Sequence, residues 1–370
     1  MDAHFSGVGQ YTLGLLRGMD QILSESSPGP RVRVIIPFEK LSRFQSFGFQ
    51  NIEPLRLPLP QALMYTLLFA ESAPPLDSLL VRGVYLFPNF VSSKLKASPA
   101  VVVVHDLAYA IFPEYAEETN ARYLNEKVPR VLSNASAVVT ISENTRRDLI
   151  QHYGLGHEQI CIASPAADPR IFYRRKSHEI ERVRELYGIK KDYILTLSNL
   201  EPRKNLEGLI DAYCLLPRAV SERVSLLLVG SVCWKTDHLV EKILCRAQEG
   251  FNITRPASYV LDEHKPALMS GATMLVYPSH YEGFGMPPLE ALSCGTPVIA
   301  SDNSSLPEVV GDAGRLVPSS DTALLSSAIQ EVLADLESVT KASVVAGPSQ
   351  AARFDWRKSA QTILELAAEL

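Results

Sequence analysis

The stretch Glu282-Gly283-Phe284-Gly285-Met286-Pro287-Pro288-Leu289-Glu290 decides the fold. It follows the apolar run Met274–Tyr277 and passes into a helical pattern after Pro287, so it predicts a strand, a glycine loop and a helix in succession. Gly283 and Gly285 let the backbone approach a ligand closely, while the first turn of the helix offers unpaired amides and the positive end of a dipole. Such a junction favours a bound anion, and a phosphate group suits it well.

Two carboxylates, Glu282 and Glu290, bound this glycine loop. Because they would repel a phosphate that they faced, we expect them to accept hydrogen bonds from hydroxyl groups on either side of it, one on a sugar and one on a ribose. The pair therefore predicts a site for a sugar joined to a nucleoside diphosphate. The alternative is that both are ordinary solvated carboxylates beside a tight turn.

A second strand-to-helix junction carries two adjacent cations. The apolar run Tyr193–Leu197 precedes Ser198-Asn199-Leu200-Glu201-Pro202-Arg203-Lys204-Asn205, after which apolar residues recur at helical spacing. Open α/β sheets bind ligands at the carboxyl ends of their strands, where Arg203 and Lys204 would supply a planar fork and a point charge for a diphosphate. An exposed charge pair with no ligand is the alternative.

These stretches resemble the retaining family 4 glycosyltransferases with the GT-B fold, and the resemblance covers nearly the whole chain. Within the family the chain is most similar to bacterial mannosyl-, rhamnosyl- and related hexosyltransferases of surface-polysaccharide synthesis, through the run from Pro88-Asn89-Phe90 to His105-Asp106-Leu107. The other stretches that carry the resemblance are Ser6-Gly7-Val8-Gly9-Gln10-Tyr11, Ser142-Glu143-Asn144-Thr145-Arg146, Cys294-Gly295-Thr296-Pro297-Val298, Leu306-Pro307-Glu308-Val309-Val310-Gly311 and Phe354-Asp355-Trp356.

The fold class expected is α/β, because apolar β-branched runs alternate with helical patterns along the chain. The resemblance implies two doubly wound, Rossmann-like domains with parallel sheets that face each other across a cleft. Residues 1–170 with the C-terminal helix 358–370 would form the acceptor-side domain, and residues 171–357 the nucleotide-sugar domain. Met1–Ser6 leaves no room for the strand that precedes the glycine loop in the family, so the first strand is expected to be missing, through a misplaced start or a clipped chain. The runs expected to form strands are Val32–Ile36, Val84–Phe87, Val101–Val104, Ala137–Ile141, Gln159–Ala163, Tyr193–Leu197, Ser225–Val229, Met274–Tyr277 and Pro297–Ala300.

Composition narrows the classes of partner. The 370 residues, 46% hydrophobic and 21% charged, suit two globular domains, and the net charge of −5 lacks the basic footprint of a nucleic-acid-binding protein. Five cysteines without a C-x-x-C pair indicate a reducing compartment and no structural zinc. The expected location is therefore the cytoplasm, with access to the inner face of the membrane.

No apolar run reaches the roughly 18–20 residues needed to span a bilayer. The segment Leu57–Ala70 is apolar but short, and we expect an internal helix whose Leu63, Leu67 and Phe69 pack on the sheet. Because few basic residues surround it, at most weak peripheral membrane contact is expected. The oligomeric state is left open.

The resemblance assigns roles to individual residues. It implies that His105, Glu282, Arg203 and Lys204 are catalytic, and that Ser142, Arg146 and Asp106 lie on the acceptor side. His105 could equally be a satisfied histidine at a strand end, Ser6 could simply cap a helix that starts at Gly7, and Ser142 could cap another. The residues implied to bind the donor are Gly7, Val8, Gly9, Ser198, Asn199, Val260, Leu261, Gly283, Phe284, Gly285, Met286, Pro287, Leu289 and Glu290.

Two departures from the family pattern concern the donor. Ser198 stands where glycine is common, and Arg255-Pro256-Ala257-Ser258-Tyr259-Val260-Leu261 lacks a glycine often found in the loop that reads the base. The nearest subgroup favours GDP-mannose over UDP or dTDP sugars as donor, and a glycan or lipid-linked saccharide as acceptor.

The expected chemistry needs neither metal nor cofactor. No D-x-D element follows a strand, so Arg203, Lys204 and the helix after Gly285 would neutralise the leaving nucleoside diphosphate. A front-face reaction with retention would let a donor phosphate oxygen take the acceptor proton. The alternatives are a sugar phosphorylase or a nucleotide-sugar hydrolase or epimerase on the same fold, and an inactive subunit that binds sugar nucleotides.

Overall fold

The structure is a computed structural model that describes residues 6–25, 29–70, 73–256 and 258–370. The strands are β1 (Val32–Pro37), β2 (Ile52–Leu57), β3 (Tyr85–Phe87), β4 (Ala100–Val104), β5 (Ala137–Thr140), β6 (Ile160–Ile162), β7 (Asp192–Leu197), β8 (Val224–Val229), β9 (Ile253–Thr254), β10 (Met274–Tyr277), β11 (Val298–Ser301) and β12 (Arg315–Val317). The helices are α1 (Gly7–Glu25), α2 (Leu41–Ser46), α3 (Gln61–Phe69), α4 (Leu76–Leu79), α5 (Ala108–Ile111), α6 (Glu118–Asn134), α7 (Glu143–Tyr153), α8 (Ser177–Leu186), α9 (Leu206–Cys214), α10 (Arg218–Ser221), α11 (Asp237–Gln248), α12 (Lys265–Gly271), α13 (Met286–Ser293), α14 (Leu306–Val310), α15 (Thr322–Ala334), α16 (Leu336–Ala351) and α17 (Trp356–Glu369).

The chain divides into two compact units. The N-terminal unit comprises Met1–Leu107, Thr119–Pro165 and Asp355–Leu370, and the C-terminal unit comprises Ala108–Glu118 and Ala166–Phe354. The sequence had placed the crossover after residue 170 and the returning helix at 358–370. In the structure the crossover follows Pro165, and the short segment 108–118 is part of the C-terminal unit.

The C-terminal unit is built on one parallel sheet in the order β12-β11-β10-β7-β8-β9. Alternate residues of its strands enter two cores, with Leu226 and Leu228 in one and Leu227 and Val229 in the other. This is the pattern of a parallel sheet covered by helices on both faces. Strand order reverses between β7 and β10, which creates the switch point where doubly wound sheets bind ligands.

The N-terminal unit contains a parallel sheet in the order β3-β4-β5-β6 and a separate parallel pair, β1 with β2. Strand β4 is fully buried, as its run of valines predicts. Helices α1 and α17 pack closely, because a Cβ on Gly18 would lie only 2.5 Å from the carbonyl oxygen of Trp356. The C-terminal helix thus belongs to this unit.

Some expectations for the N-terminal unit need comment. Strand β2 was not predicted from the sequence. Leu63 of α3 is 49% exposed, so the prediction that it packs on the sheet is wrong, and the side chains of Leu67 and Phe69 fall outside what the structure describes. The missing first strand concerned residues 1–6, and all of these except Ser6 lie outside the described residues.

Candidate active site at the strand switch point

The loops that follow β7 and β10 lie side by side at the switch point. A 3-10 turn over Pro202–Lys204 follows β7, and Asn205 ends it in the left-handed region with φ 52°. The Asn205 side-chain amide donates to the carbonyl oxygens of Pro278 (3.1 Å) and Ser319 (2.7 Å). Asparagine tolerates this backbone conformation, and its side chain here also links the loop after β7 to the loop after β10.

The paired cations of the first loop contact the first carboxylate of the second. Arg203 Nη1 donates to Glu282 Oε2 at 3.1 Å, and Lys204 Nζ donates to Glu282 Oε1 at 2.6 Å. Glu201 completes the cluster, with its Oε1 2.8 Å from Arg203 Nη2 and 3.8 Å from Lys204 Nζ. Three of the four residues predicted to be catalytic therefore meet, although they come from positions about 80 apart in the chain.

Burial strengthens the electrostatic interactions within this cluster. Glu201, Lys204 and Glu282 are all less than 10% exposed. Burial alone would raise the pKa of Glu282, but Lys204 and Arg203 outweigh it and hold that pKa well below its usual range, so Glu282 is ionised. Burial and the Arg203 charge lower the pKa of Lys204, while Glu282 and Glu201 oppose them. With two carboxylates and two cations the four side chains balance.

Glu201 and Tyr277 were not singled out by the sequence. The Tyr277 hydroxyl accepts from Lys204 Nζ at 3.1 Å, which fixes the ammonium group from the end of β10. Glu201 lies inside the stretch that suggested diphosphate binding. Its role as a counter-ion to Arg203 and Lys204 becomes visible only because the 3-10 turn over Pro202–Lys204 brings the three side chains together. Its position two residues before Arg203 was the available signal.

The glycine loop keeps the backbone geometry expected of it. Gly285 precedes α13 with φ 115°, and a Cβ there would meet Leu306 Cδ2 at 2.7 Å, so glycine is required. Helix α13 begins at Met286, two residues before the predicted start at Pro288. Pro287 and Pro288 carry no N–H, and the Leu289 amide donates to Gly285 at 3.3 Å. Of the first three helical residues only Met286 therefore carries an N–H, so this turn offers fewer amides than the sequence suggested, and its binding of an anion stays a prediction.

Two serines after β11 support this loop and were missed by sequence reasoning. The Glu282 amide donates to Ser304 Oγ at 3.0 Å, and Ser305 Oγ donates to the Phe284 carbonyl at 2.6 Å. Ser304 adopts a positive φ of 50°, unusual for serine. The polar run at the carboxyl end of a third neighbouring strand was the signal that could have identified them.

Glu290 lies on α13 and is buried. Burial raises its pKa to about 7, Lys265 opposes the rise, and Asp262 adds to it. A carboxylate that titrates near neutrality can accept from ligand hydroxyls in its ionised form. The pKa values of Glu282 and Glu290 are thus shifted in opposite directions, although the two carboxyl groups lie only eight positions apart in the chain.

The loop expected to read the base is held by a tyrosine and a histidine. Val260 is buried, and the Leu261 amide donates to the Tyr187 hydroxyl at 3.1 Å. That hydroxyl also lies 2.9 Å from Nδ1 of the buried His264, whose own amide donates to Leu261. Both backbone groups of Leu261 are therefore engaged within the protein.

Ser198 and Asn199 open the loop after β7. Ser198 is buried, and its hydroxyl makes no hydrogen bond within the part of the chain that the structure describes. Asn199 is exposed. A buried hydroxyl beside the cation cluster is a polar group that a ligand can satisfy.

His105 lies at the end of β4 in the N-terminal unit. Its Nε2 is 2.9 Å from the Pro88 carbonyl, to which it donates, and its ring meets the edge of Tyr11 at 5.0 Å. Burial lowers the pKa of His105, while the bond to Pro88 and the charge of Asp106 oppose the shift. The imidazole is therefore neutral. The backbone carbonyl oxygen of His105 accepts a hydrogen bond from Thr145 Oγ1 at 3.4 Å.

Other predicted residues of the N-terminal unit serve helix ends. Helix α1 begins at Gly7 and includes Val8 and Gly9, and the Gly9 amide donates to Ser6 Oγ at 3.3 Å. Ser142 caps α7 by accepting from the Thr145 amide at 3.1 Å, and Arg146 pairs with Glu143. Capping thus accounts for Ser6 and Ser142. Asp106 is half-buried beside His105.

Metal ligation and membrane spanning were both considered for the described residues. Within residues 6–25, 29–70, 73–256 and 258–370, no group of His, Cys, Asp or Glu side chains is arranged to hold a metal ion. Across the same ranges, no helix is both long and apolar enough to cross a membrane.

Comparison with known proteins assigns both halves of the chain to families. Residues 5–170 match the model "Glycosyltransferase Family 4", and residues 178–343 match "Glycosyl transferases group 1". The O-antigen chain mannosyltransferase B of Escherichia coli is 35% identical over 76% of this chain and 73% of its own length. A serotype-specific mannosyltransferase WbdA of E. coli is 29% identical over 72% of this chain, but the match spans only 33% of that larger protein.

Solved structures show the same fold. The Anabaena protein HepE, solved with UDP-glucose, has a TM-score of 0.72 at 20% identity and covers 100% of this chain and 98% of its own. WaaG, described as a glycosyltransferase of lipopolysaccharide biosynthesis, has a TM-score of 0.69 at 18% identity and covers 98% and 96%. At these identities the likeness concerns the GT-B architecture.

Proposed function

Because the chain belongs to the family 4 glycosyltransferases with the GT-B fold, we propose that it transfers mannose from GDP-mannose, with retention, to a glycan or lipid-linked saccharide of a surface polysaccharide. The observation that carries this proposal is the buried Arg203–Lys204–Glu282 cluster at the strand switch point. The mannosyltransferase names of the E. coli relatives support the choice of donor and pathway.

The charge balance of the cluster suggests how a donor binds. In the free protein Glu282 holds both cations within 3.1 Å. A diphosphate that enters beside Gly283 and Gly285 offers the cations a second anionic partner. Arg203 and Lys204 then shift toward the phosphates, and Glu282 becomes available to accept a hydrogen bond from a sugar hydroxyl.

The same exchange assists bond cleavage. Negative charge accumulates on the diphosphate as the glycosidic bond breaks, so cations held ready in a water-poor site stabilise the transition state more than the ground state. Removing one such group typically costs about 3–4 kcal/mol in the barrier. In a front-face reaction the departing phosphate oxygen takes the acceptor proton, so no protein base is needed, and Arg203 and Lys204 neutralise the leaving diphosphate in the place of a metal ion.

The remaining predicted residues fit supporting roles in this proposal. Glu290, with a pKa near 7, accepts from the ribose hydroxyls when it is ionised. The buried hydroxyl of Ser198 finds its partner on a donor phosphate. His105, whose neutral imidazole is held by the Pro88 carbonyl, stays a predicted catalytic residue on the N-terminal unit.

A panel of sugar nucleotides tests the proposal. The purified protein is incubated separately with GDP-mannose, UDP-glucose, dTDP-rhamnose and ADP-glucose. The melting temperature and the transfer of sugar to mannose-terminated acceptors, with release of the nucleotide, are both recorded. We expect stabilisation and transfer with GDP-mannose first, since ligand at 100 times its Kd adds about 2.7 kcal/mol to the free energy of unfolding. A clear preference for a UDP or dTDP sugar would overturn the choice of donor.

A further inference from the structure

The segment Ala108–Glu118 has an unexpected position. It follows β4 and His105 in the sequence, yet it forms part of the C-terminal unit. It contains α5 and a 3-10 turn over Pro113–Tyr115. No role follows from its sequence pattern alone.

Aromatic rings of this segment cover the loop after β10. Tyr115 stacks on His280 with ring centroids 5.2 Å apart and an interplanar angle of 11°. Phe112 lies against Tyr281 at 5.4 Å, and Phe112 and Tyr115 also stack on each other at 5.9 Å. Phe112 and Tyr115 therefore each meet a ring of the two residues directly before Glu282.

Hydrogen bonds fix the segment from a second loop. Trp234 Nε1 donates to the Tyr115 carbonyl at 2.8 Å, and Lys235 Nζ donates to the Glu114 carbonyl at 2.8 Å. Trp234 and Lys235 belong to the loop after β8, the strand beside β7. The segment is thus held by loops that follow two strands of the same sheet.

The residues that the segment covers also hold Arg203. The His280 amide donates to the Arg203 carbonyl at 2.9 Å, and Arg203 Nη1 donates to the Tyr281 carbonyl at 3.0 Å. Both the backbone and the guanidinium group of Arg203 are therefore oriented by residues 280–281. If that loop loosened, the guanidinium group would gain rotamers and lose alignment with its anionic partner.

We propose that the segment 108–118, through Phe112 and Tyr115, is a positioning element that holds the 280–281 loop and so orients Arg203 toward the diphosphate of the donor. This inference deepens the proposed function and rests on it for the identity of the donor. Phe112 and Tyr115 are positioning residues, because their contacts are to His280 and Tyr281.

The test compares matched variants of the full chain. Phe112→Ala/Tyr115→Ala removes both rings, Tyr115→Phe keeps the stack on His280, and Tyr123→Ala removes an exposed ring on α6 as control. Binding of pyrophosphate and GDP is measured by calorimetry, with donor KM, kcat and apo melting temperature. We expect Kd to rise about threefold to tenfold in the double variant, the range of aromatic pair contributions, and to stay at the wild-type value in the other two.

The outcomes separate this inference from the proposed function. Wild-type Kd for pyrophosphate in the double variant would overturn the inference, whatever the donor is. If pyrophosphate follows the expected pattern while no GDP sugar is used, the inference stands and the proposed donor falls. Absence of pyrophosphate binding in the wild type would overturn both. Should the double variant fail to fold, Trp234→Phe removes the bond to the Tyr115 carbonyl alone, and an unchanged Kd there would overturn the inference.

Discussion

Replacing Glu282 with Gln should tighten the binding of GDP while it abolishes transfer. In the free protein this carboxylate lies 2.6 Å from Lys204 Nζ and 3.1 Å from Arg203 Nη1, so it competes for the cations that a diphosphate needs. A like charge about 6 Å from the bound phosphates costs about 3 kcal/mol at an effective dielectric constant of ~20. Solvent in an accessible site screens part of that energy, so we expect a Kd about tenfold to a hundredfold lower in Glu282→Gln.

The free variant should also lose stability. Neutralising one partner of a buried ion cluster costs about 3–5 kcal/mol, because Arg203 and Lys204 would then face Glu201 alone. For a unit of this size that corresponds to a fall in melting temperature of about 6–20 °C. Addition of GDP should therefore raise the melting temperature of Glu282→Gln by more than it raises that of the wild type.

Calorimetric titration with GDP and differential scanning fluorimetry measure both effects. Glu337→Gln, in which an exposed carboxylate paired with Lys341 is neutralised, is the matched control and should change neither quantity. Glu290→Gln should weaken GDP binding, the opposite sign. A Kd for GDP in Glu282→Gln that equals or exceeds the wild-type value would refute the competition between carboxylate and diphosphate.

Three further predictions follow from the same site. Lys204→Met, which keeps the length of the side chain without its charge, should lower kcat by at least about a hundredfold, and wild-type turnover would remove Lys204 from the mechanism. Burial raises the pKa of Glu290 from its ordinary value of 4.5 to about 7, so the folded protein keeps the carboxyl proton to a higher pH than the unfolded chain does. The contribution of protonated Glu290 to the free energy of unfolding should therefore fall as the pH rises from about 4.5 through 7. Over the upper part of that range GDP affinity should rise, and Glu290→Gln should flatten both trends in calorimetry and urea titrations. Transfer should persist in EDTA, and activity that returns only with Mg²⁺ or Mn²⁺ would show that a metal ion takes part.

The sheet of the C-terminal unit could largely be predicted from the sequence. Buried parallel strands such as β7, β8 and β10 are mainly apolar runs, and the carboxyl ends of parallel strands lie at one edge of the sheet, so Arg203 and Glu282 were both expected to bind the donor there. Strand β2 was missed because Pro54 interrupts it and most of its residues are not buried, as is usual for an edge strand. Strand β9 has only two residues, too few for any alternation to show.

The partners within the site could not be predicted. The sequence suggested that Arg203 and Lys204 bind a phosphate, whereas in the structure they form ion pairs with Glu282 and Glu201. Which charges meet depends on the 3-10 turn and on Asn205 in the left-handed region, and neither leaves a periodic signal. The contact of Tyr115 with His280 joins residues far apart in the chain and likewise has no local signature.

Stereochemistry of the product tests the central claim most directly. Wild-type protein is incubated in EDTA with GDP-mannose and a mannose-terminated oligosaccharide, and the anomeric protons are followed by NMR from the first turnover. We predict an α-linked mannoside as the initial product, formed at an unchanged rate without added metal and absent with Lys204→Met. A β-linked product, or release of GDP with no transfer to any saccharide, would contradict a retaining mannosyltransferase built on the Arg203–Lys204–Glu282 cluster.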